Sequence, residues 1–174
     1  EYRNITFKDC DVLRGGNTVC DIQNGDYAEV YDVTFEGIRA ELEGFYTQSV
    51  LQRDQSQSYE AKDSSEIASI VNIVNYRFRE MYAFLGVEVK ESEKKKNYAG
   101  VHNIKVKDIS VYADEKVLSE RGTKCIRVNI LNSVEKAEFT NISIENIALN
   151  GKRVLPKEMD VQIIGCDENQ VKIV

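Results

Sequence analysis

The chain has 174 residues and a net charge of −6, with 42% hydrophobic and 30% charged residues. That mix excludes a disordered chain, and apolar runs of only a few residues exclude a membrane-crossing helix of about 20. The acidic balance argues against a nucleic-acid or membrane partner; the one dense basic run, Lys94–Lys96, has Glu91 and Glu93 beside it and reads as a solvated loop.

In chain order, the first predicted element is YRNITFKDCDV, residues 2–12. Ile5 and Phe7 alternate with Thr6 and Lys8, the period of a half-buried strand. A break at Asp9 follows, and apolar residues resume at Cys10 and Val12. GGN at 15–17 is an ordinary turn, and TVCDIQN at 18–24 is a second short strand.

The opening pattern then recurs. VYDVTFEGIRA starts at Val30, VHNIKVKDISV at Val101 and FTNISIENIAL at Phe139. The third position is Asn or Asp each time (Asn4, Asp32, Asn103, Asn141), the fourth and sixth are apolar, and the break falls at Asp9, Gly37, Asp108 or Asn146. A strand, a tight bend and a second strand make two sides of a coil. One such unit cannot bury its apolar face alone, whereas stacked units pairing in parallel can. Asn and Asp tolerate the bend and bond to nearby backbone. The sequence therefore predicts an all-β fold, a partial parallel β-helix (solenoid) occupying 1–174 as a single domain, with Ile5, Val33, Ile104 and Ile142 piled inside. An ordinary sandwich or an α+β domain is the alternative.

Between the units, KCIRVNIL (124–131) and DVQIIG (160–165) join TVCDIQN as candidates for the remaining side of the coil. Residues 43–66, poor in apolar side chains and rich in Gln, Ser and acids, read as a surface excursion. It holds Tyr46, Arg53, Asp54 and Tyr59, candidate glycan contacts because ring faces stack on sugars and polar groups bond hydroxyls. Residues 64–85 suit a helix by spacing and a strand by β-branched content. We read a strand near 68–75 with a turn or short helix after it. DEKVLSERG (114–122) reads as a further excursion, and Pro156 must leave the strand register.

Chemistry is sparse. Cys10, Cys20, Cys125 and Cys166 form no CxxC pair and suit buried thiols, with a Cys10–Cys20 disulfide as the alternative. His102 is the only histidine, so a zinc site built on several histidines is excluded, and no sequence partner for it stands out. Glycosidic hydrolysis needs two carboxyl groups at a fixed separation. Asp9, Asp32, Glu36, Asp108 and Glu145 lie in the repeats, where turn and solvent-face roles account for them. No residue is assigned as catalytic, metal-ligating or cofactor-binding, and no cofactor is expected. NIT at 4–6 and NIS at 141–143 match the glycosylation sequon but belong to the repeat.

These units resemble the C-terminal rungs of bacterial polygalacturonase-like proteins of the pectin-lyase-like superfamily. The likeness rests on YRNITF followed by Asp-Cys, on VHNIKVKDISVYADE and on NISIENIALNGKR. It implies a right-handed parallel β-helix and a parent glycoside hydrolase acting on a polysaccharide, acidic and pectin-like in the first instance. The family's Asn-Thr-Asp, Asp-Asp, Gly-His-Gly and Arg-Ile-Lys motifs are missing here, and CIRV at 125–128 keeps only an Arg. The expectation is a fragment inactive alone, which starts at Glu1 without a visible signal peptide and whose exposed first rung self-associates or is capped by the middle excursion. A lyase or epimerase parent of similar shape and a non-catalytic glycan-binding or structural module are the rivals. The compartment stays open between secreted or cell-envelope and cytoplasmic.

Overall fold

The computed structural model describes residues 1–15, 18–24, 28–42, 69–75, 99–132, 134 and 137–174, with backbone alone for 123 and 124. Twelve strands carry these residues: β1 Tyr2–Lys8, β2 Asp11–Gly15, β3 Cys20–Asn24, β4 Val30–Glu36, β5 Arg39–Leu42, β6 Val71–Asn75, β7 Val101–Tyr112, β8 Arg127–Asn132, β9 Phe139–Leu149, β10 Lys152–Arg153, β11 Asp160–Ile164 and β12 Val171–Ile173. Among the described residues one α-helix, α1, spans Glu115–Arg121.

The strands form an eight-stranded and a four-stranded sheet in a solenoid-like, all-β arrangement. In the larger sheet β1, β4, the first half of β7, the first half of β9 and β12 follow one another in parallel. Beyond the bend, β2, β5 and the ends of β7 and β9 do the same. The smaller sheet stacks β3, β6, β8 and β11, all parallel. The strands expected in TVCDIQN, KCIRVNIL and DVQIIG are thus β3, β8 and β11 of this second parallel sheet. The strand expected near 68–75 is β6; the turn or helix after it lies outside the described residues, as does the 43–66 excursion.

The repeated units meet in register. Ile5 pairs with Val33, Val33 with Ile104, and Ile104 with Ile142; Phe7, Phe35, Val106 and Ile144 form the next inward column. Val33, Ile104, Ile142, Val106 and Ile144 are buried. Each such side chain contributes about 1.5–3 kcal/mol by leaving water. The opposite wall supplies Val71, Val128, Ile73 and Ile130.

The corners come from a backbone geometry that most side chains avoid. Asn4, Asp32, Asn103 and Asn141 have φ of +56°, +54°, +55° and +53°, and the break residues Asp9, Gly37, Asp108 and Asn146 have +53°, +67°, +57° and +55°. Asn, Asp and Gly carry the smallest penalty there. Their side chains also bond between rungs: Asn103 Nδ2 donates to Asp32 Oδ1 at 3.1 Å, Asn141 Nδ2 to Asn103 Oδ1 at 2.8 Å, and Asn146 Nδ2 to Asp108 Oδ1 at 2.7 Å. In the smaller sheet a buried ladder runs from Asn24 Nδ2 to Asn75 Oδ1 at 3.0 Å and from Asn75 Nδ2 to Asn132 Oδ1 at 3.1 Å. It closes on Val134, whose carbonyl accepts from Asn132 at 3.2 Å.

One outward column alternates in charge. Lys8 pairs with Glu36, Glu36 with Lys107, and Lys107 with Glu145. Glu36 sits 3.4 Å from Lys8 Nζ and 3.2 Å from Lys107 Nζ, and Glu145 lies 3.9 Å from Lys172 Nζ.

Two readings need correction, those of residues 114–122 and of the cysteines. Residues 114–122 hold a helix rather than an irregular excursion: Asp114 caps α1 by accepting from Val117 N at 2.8 Å, and Val117 and Arg121 face the core. The chain also regains the large sheet at β12, a three-residue strand too short to show a period. The four cysteines are free, so the Cys10–Cys20 disulfide does not form. Cys20 and Cys125 are buried as expected, but Cys10 and Cys166 are only partly covered. Pro156 leaves the strand register as predicted, opening a short 3-10 turn over Pro156–Glu158.

Candidate functional site

The sequence-derived glycan contacts Tyr46, Arg53, Asp54 and Tyr59 lie outside the described residues. The acids of the repeats are engaged in contacts with neighbouring rungs. Asp32 and Asp108 accept from the ladder asparagines, and Asp9 lies against Gly37, its Oδ1 2.6 Å from where a Cβ would stand. Glu36 is bracketed by two lysines, and hydrogen bonding from Lys107 first, then Lys8, holds its carboxyl below the usual range. A general acid needs the opposite shift.

Two surface features remain. The first is an open groove of about 400 Å³ over β2, β5, the end of β7 and the Asn150–Gly151 turn. Adjacent rungs build it. Asp11 and Arg39 are in register, so the guanidinium reaches straight along the stack to the carboxylate, with Nε to Oδ1 at 2.6 Å and Nη2 to Oδ2 at 3.0 Å. Hydrogen bonding from Arg39 lowers the Asp11 pKa, and Asp11 raises that of Arg39. Leu13 and Tyr112, both well exposed, supply apolar and aromatic surface beside this polar pair.

The second feature is a cluster at the entrance to the repeated strands. His102 Nε2 lies 3.2 Å from Glu29 Oε1, a residue 73 positions away in sequence, so the histidine has a partner that the sequence did not reveal. Its ring stacks on Tyr31 with centroids 4.9 Å apart and planes 5° from parallel. Tyr31 in turn donates to Glu1 Oε2 and accepts from Arg3 Nη1, each at 3.2 Å. Glu138 approaches the histidine as well; one donor atom from each of Glu29, His102 and Glu138 lies within 4.8 Å of the others. The signal was one residue upstream of the repeated unit, where Glu1, Glu29, Gly100 and Glu138 precede its four copies.

The thiols do not add to either feature. Burial pushes Cys20 up to about 12 and also raises Cys125 and Cys166, which disfavours the reactive thiolate. No family model, no curated protein and no solved structure matches the chain.

Proposed function

We propose that this chain is a non-catalytic portion of a polysaccharide-degrading, polygalacturonase-like protein, supplying β-helix scaffold and a sugar-holding surface while the hydrolytic acids reside elsewhere in the parent. The winding is right-handed, the hand that nearly all parallel strand crossovers adopt. The observation that carries the reading is the groove: an exposed Tyr112 ring and Leu13 stand beside the bidentate Asp11–Arg39 pair on consecutive rungs. Ring faces stack on sugar rings, and a fixed fork of donors with its carboxylate bonds hydroxyls or a uronate. The ion-paired and ladder-bonded acids of the repeats support a passive role in the chemistry.

The test is a glycan panel, pectin-like oligosaccharides included, with reducing-end release measured in parallel. The chain binds an oligosaccharide, Tyr112→Ala weakens binding by about tenfold, roughly 1.4 kcal/mol, and no reducing ends appear. Release of reducing ends by the chain itself would overturn the non-catalytic assignment. Failure to bind any glycan would leave the purely structural module as the better description.

A further inference from the structure

The residues just before β4, β7 and β9 are Glu29, Gly100 and Glu138. Val30 pairs with Val101 and Val101 with Phe139, so these three positions stand one above another. The backbone positions of the two glutamates are therefore two rungs apart, roughly 9–10 Å along the stack, while their carboxylate oxygens reach to within 4.8 Å of each other; at Gly100, the position between them, no side chain intervenes. That gap is enforced: a Cβ at Gly100 would fall 2.1 Å from the Glu138 carbonyl oxygen. His102, two residues beyond Gly100 and on the same face by strand alternation, comes up between the two acids.

Both sides of this arrangement are oriented. The Tyr31 ring fixes the plane of the imidazole, and Thr140 Oγ1 donates to Glu138 Oε1 at 3.0 Å. A His–Glu ion pair alone accounts for one carboxylate. It does not account for the second, brought to the same imidazole from the other side across an empty position.

We propose that Glu29, His102 and Glu138 bind a divalent first-row transition cation, with zinc as its representative. One imidazole and two carboxylates are a zinc-type donor set at about 2.0–2.2 Å, whereas calcium and magnesium take oxygen donors. Glu29 and His102 already stand at ligand-to-ligand distance, and the exposed Glu138 carboxylate closes on them by side-chain rotation. Three protein donors leave the remaining coordination positions to water. The ion ties three consecutive rungs together, so binding stabilises the fold by mass action. The proposal is independent of the glycan reading.

The experiment uses the whole chain after chelator treatment. Zinc chloride is titrated calorimetrically and cobalt(II) by absorbance, with thermal melting alongside. The site gives one saturable zinc ion per chain, a raised melting temperature, and cobalt ligand-field bands without a thiolate-to-metal band. Glu138→Gln, exposed and thus tolerant of change, and Glu29→Gln each weaken zinc binding by about tenfold or more. His102→Gln abolishes the cobalt spectrum. Absence of saturable zinc binding below millimolar concentration overturns the proposal. So does binding that survives Glu138→Gln unchanged, or a thiolate band that places the ion on the cysteines.

Discussion

The unit at Tyr2–Val12 and the unit at Val101–Val111 carry the same eleven-position pattern, yet they fare differently. Their corners are alike: Asn4 and Asp9 have φ of +56° and +53°, Asn103 and Asp108 +55° and +57°. Their burial is not. Along β1 only Ile5 is even partly covered, and Phe7 remains 46% exposed, whereas β7 buries Val101, Ile104, Val106, Ile109 and Val111. Among the described residues, β7 has β4 on one side and β9 on the other, and β1 pairs with β4 alone. Backbone shape is written within each unit, but stability is supplied by the neighbours above and below.

Substitutions at matched positions break or sharpen that comparison. Ile104→Ala removes a fully buried side chain flanked by two rungs and is expected to cost about 3–4 kcal/mol. Ile5→Ala, at the equivalent place in the outer rung, costs about 1 kcal/mol or less, because its cavity opens to solvent. Equal losses in chemical denaturation would refute the division between shape and stability. Asn75→Ala comes next. It leaves Asn24 and Asn132 without their ladder partner in a buried setting, at about 2 kcal/mol.

The corners should behave in the opposite way to the core. Asn4→Ala and Asn103→Ala both force a Cβ-bearing residue without a side-chain acceptor into the left-handed region, at about 1–2 kcal/mol each. The backbone cost is alike at the two positions, Asn103→Ala loses somewhat more because it also breaks the bonds with Asp32 and Asn141, and Asn103→Gly should recover the backbone share of the loss. Because β1 and β2 leave Tyr2, Phe7 and Leu13 exposed, sedimentation should also detect self-association that Phe7→Lys weakens.

The smallest effect concerns pH. Glu36 has a lowered pKa in the fold, so its stabilising contribution is present above the unfolded value and is lost as pH falls from about 4.5 through the folded value. Glu36→Gln should lower the melting temperature slightly at neutral pH, where this contribution is present, and leave it nearly unchanged at acid pH, so that the profile flattens.

Much of the fold was readable because the period is short and the turn residues are chemically constrained. Ile142 and Asn141 announce both orientation and corner within a few residues. The strand at Val71–Asn75 was readable only once a wall needing it had been posited. Helix α1 was missed, although Asp114 is a good cap, because Val117 and Leu118 are its only apolar residues and show no helical stripe. Of the site features, the Asp11–Arg39 pair and the Glu29–His102–Glu138 cluster depend on which rungs are neighbours. The long interval between Asp32 and Asn103 hid that, since nothing local states that the two units touch.

The outward row Lys8, Glu36, Lys107, Glu145 has a bearing on how the chain winds. If a rung were skipped, Lys8 would face Lys107 and Glu36 would face Glu145, setting like charges side by side along the whole miswound edge. Inward columns of Ile and Val accept such an error with little complaint, since one aliphatic fits much like another. The alternating row thus serves as a checksum on turn order, penalising the decoy that the apolar interior is least able to reject.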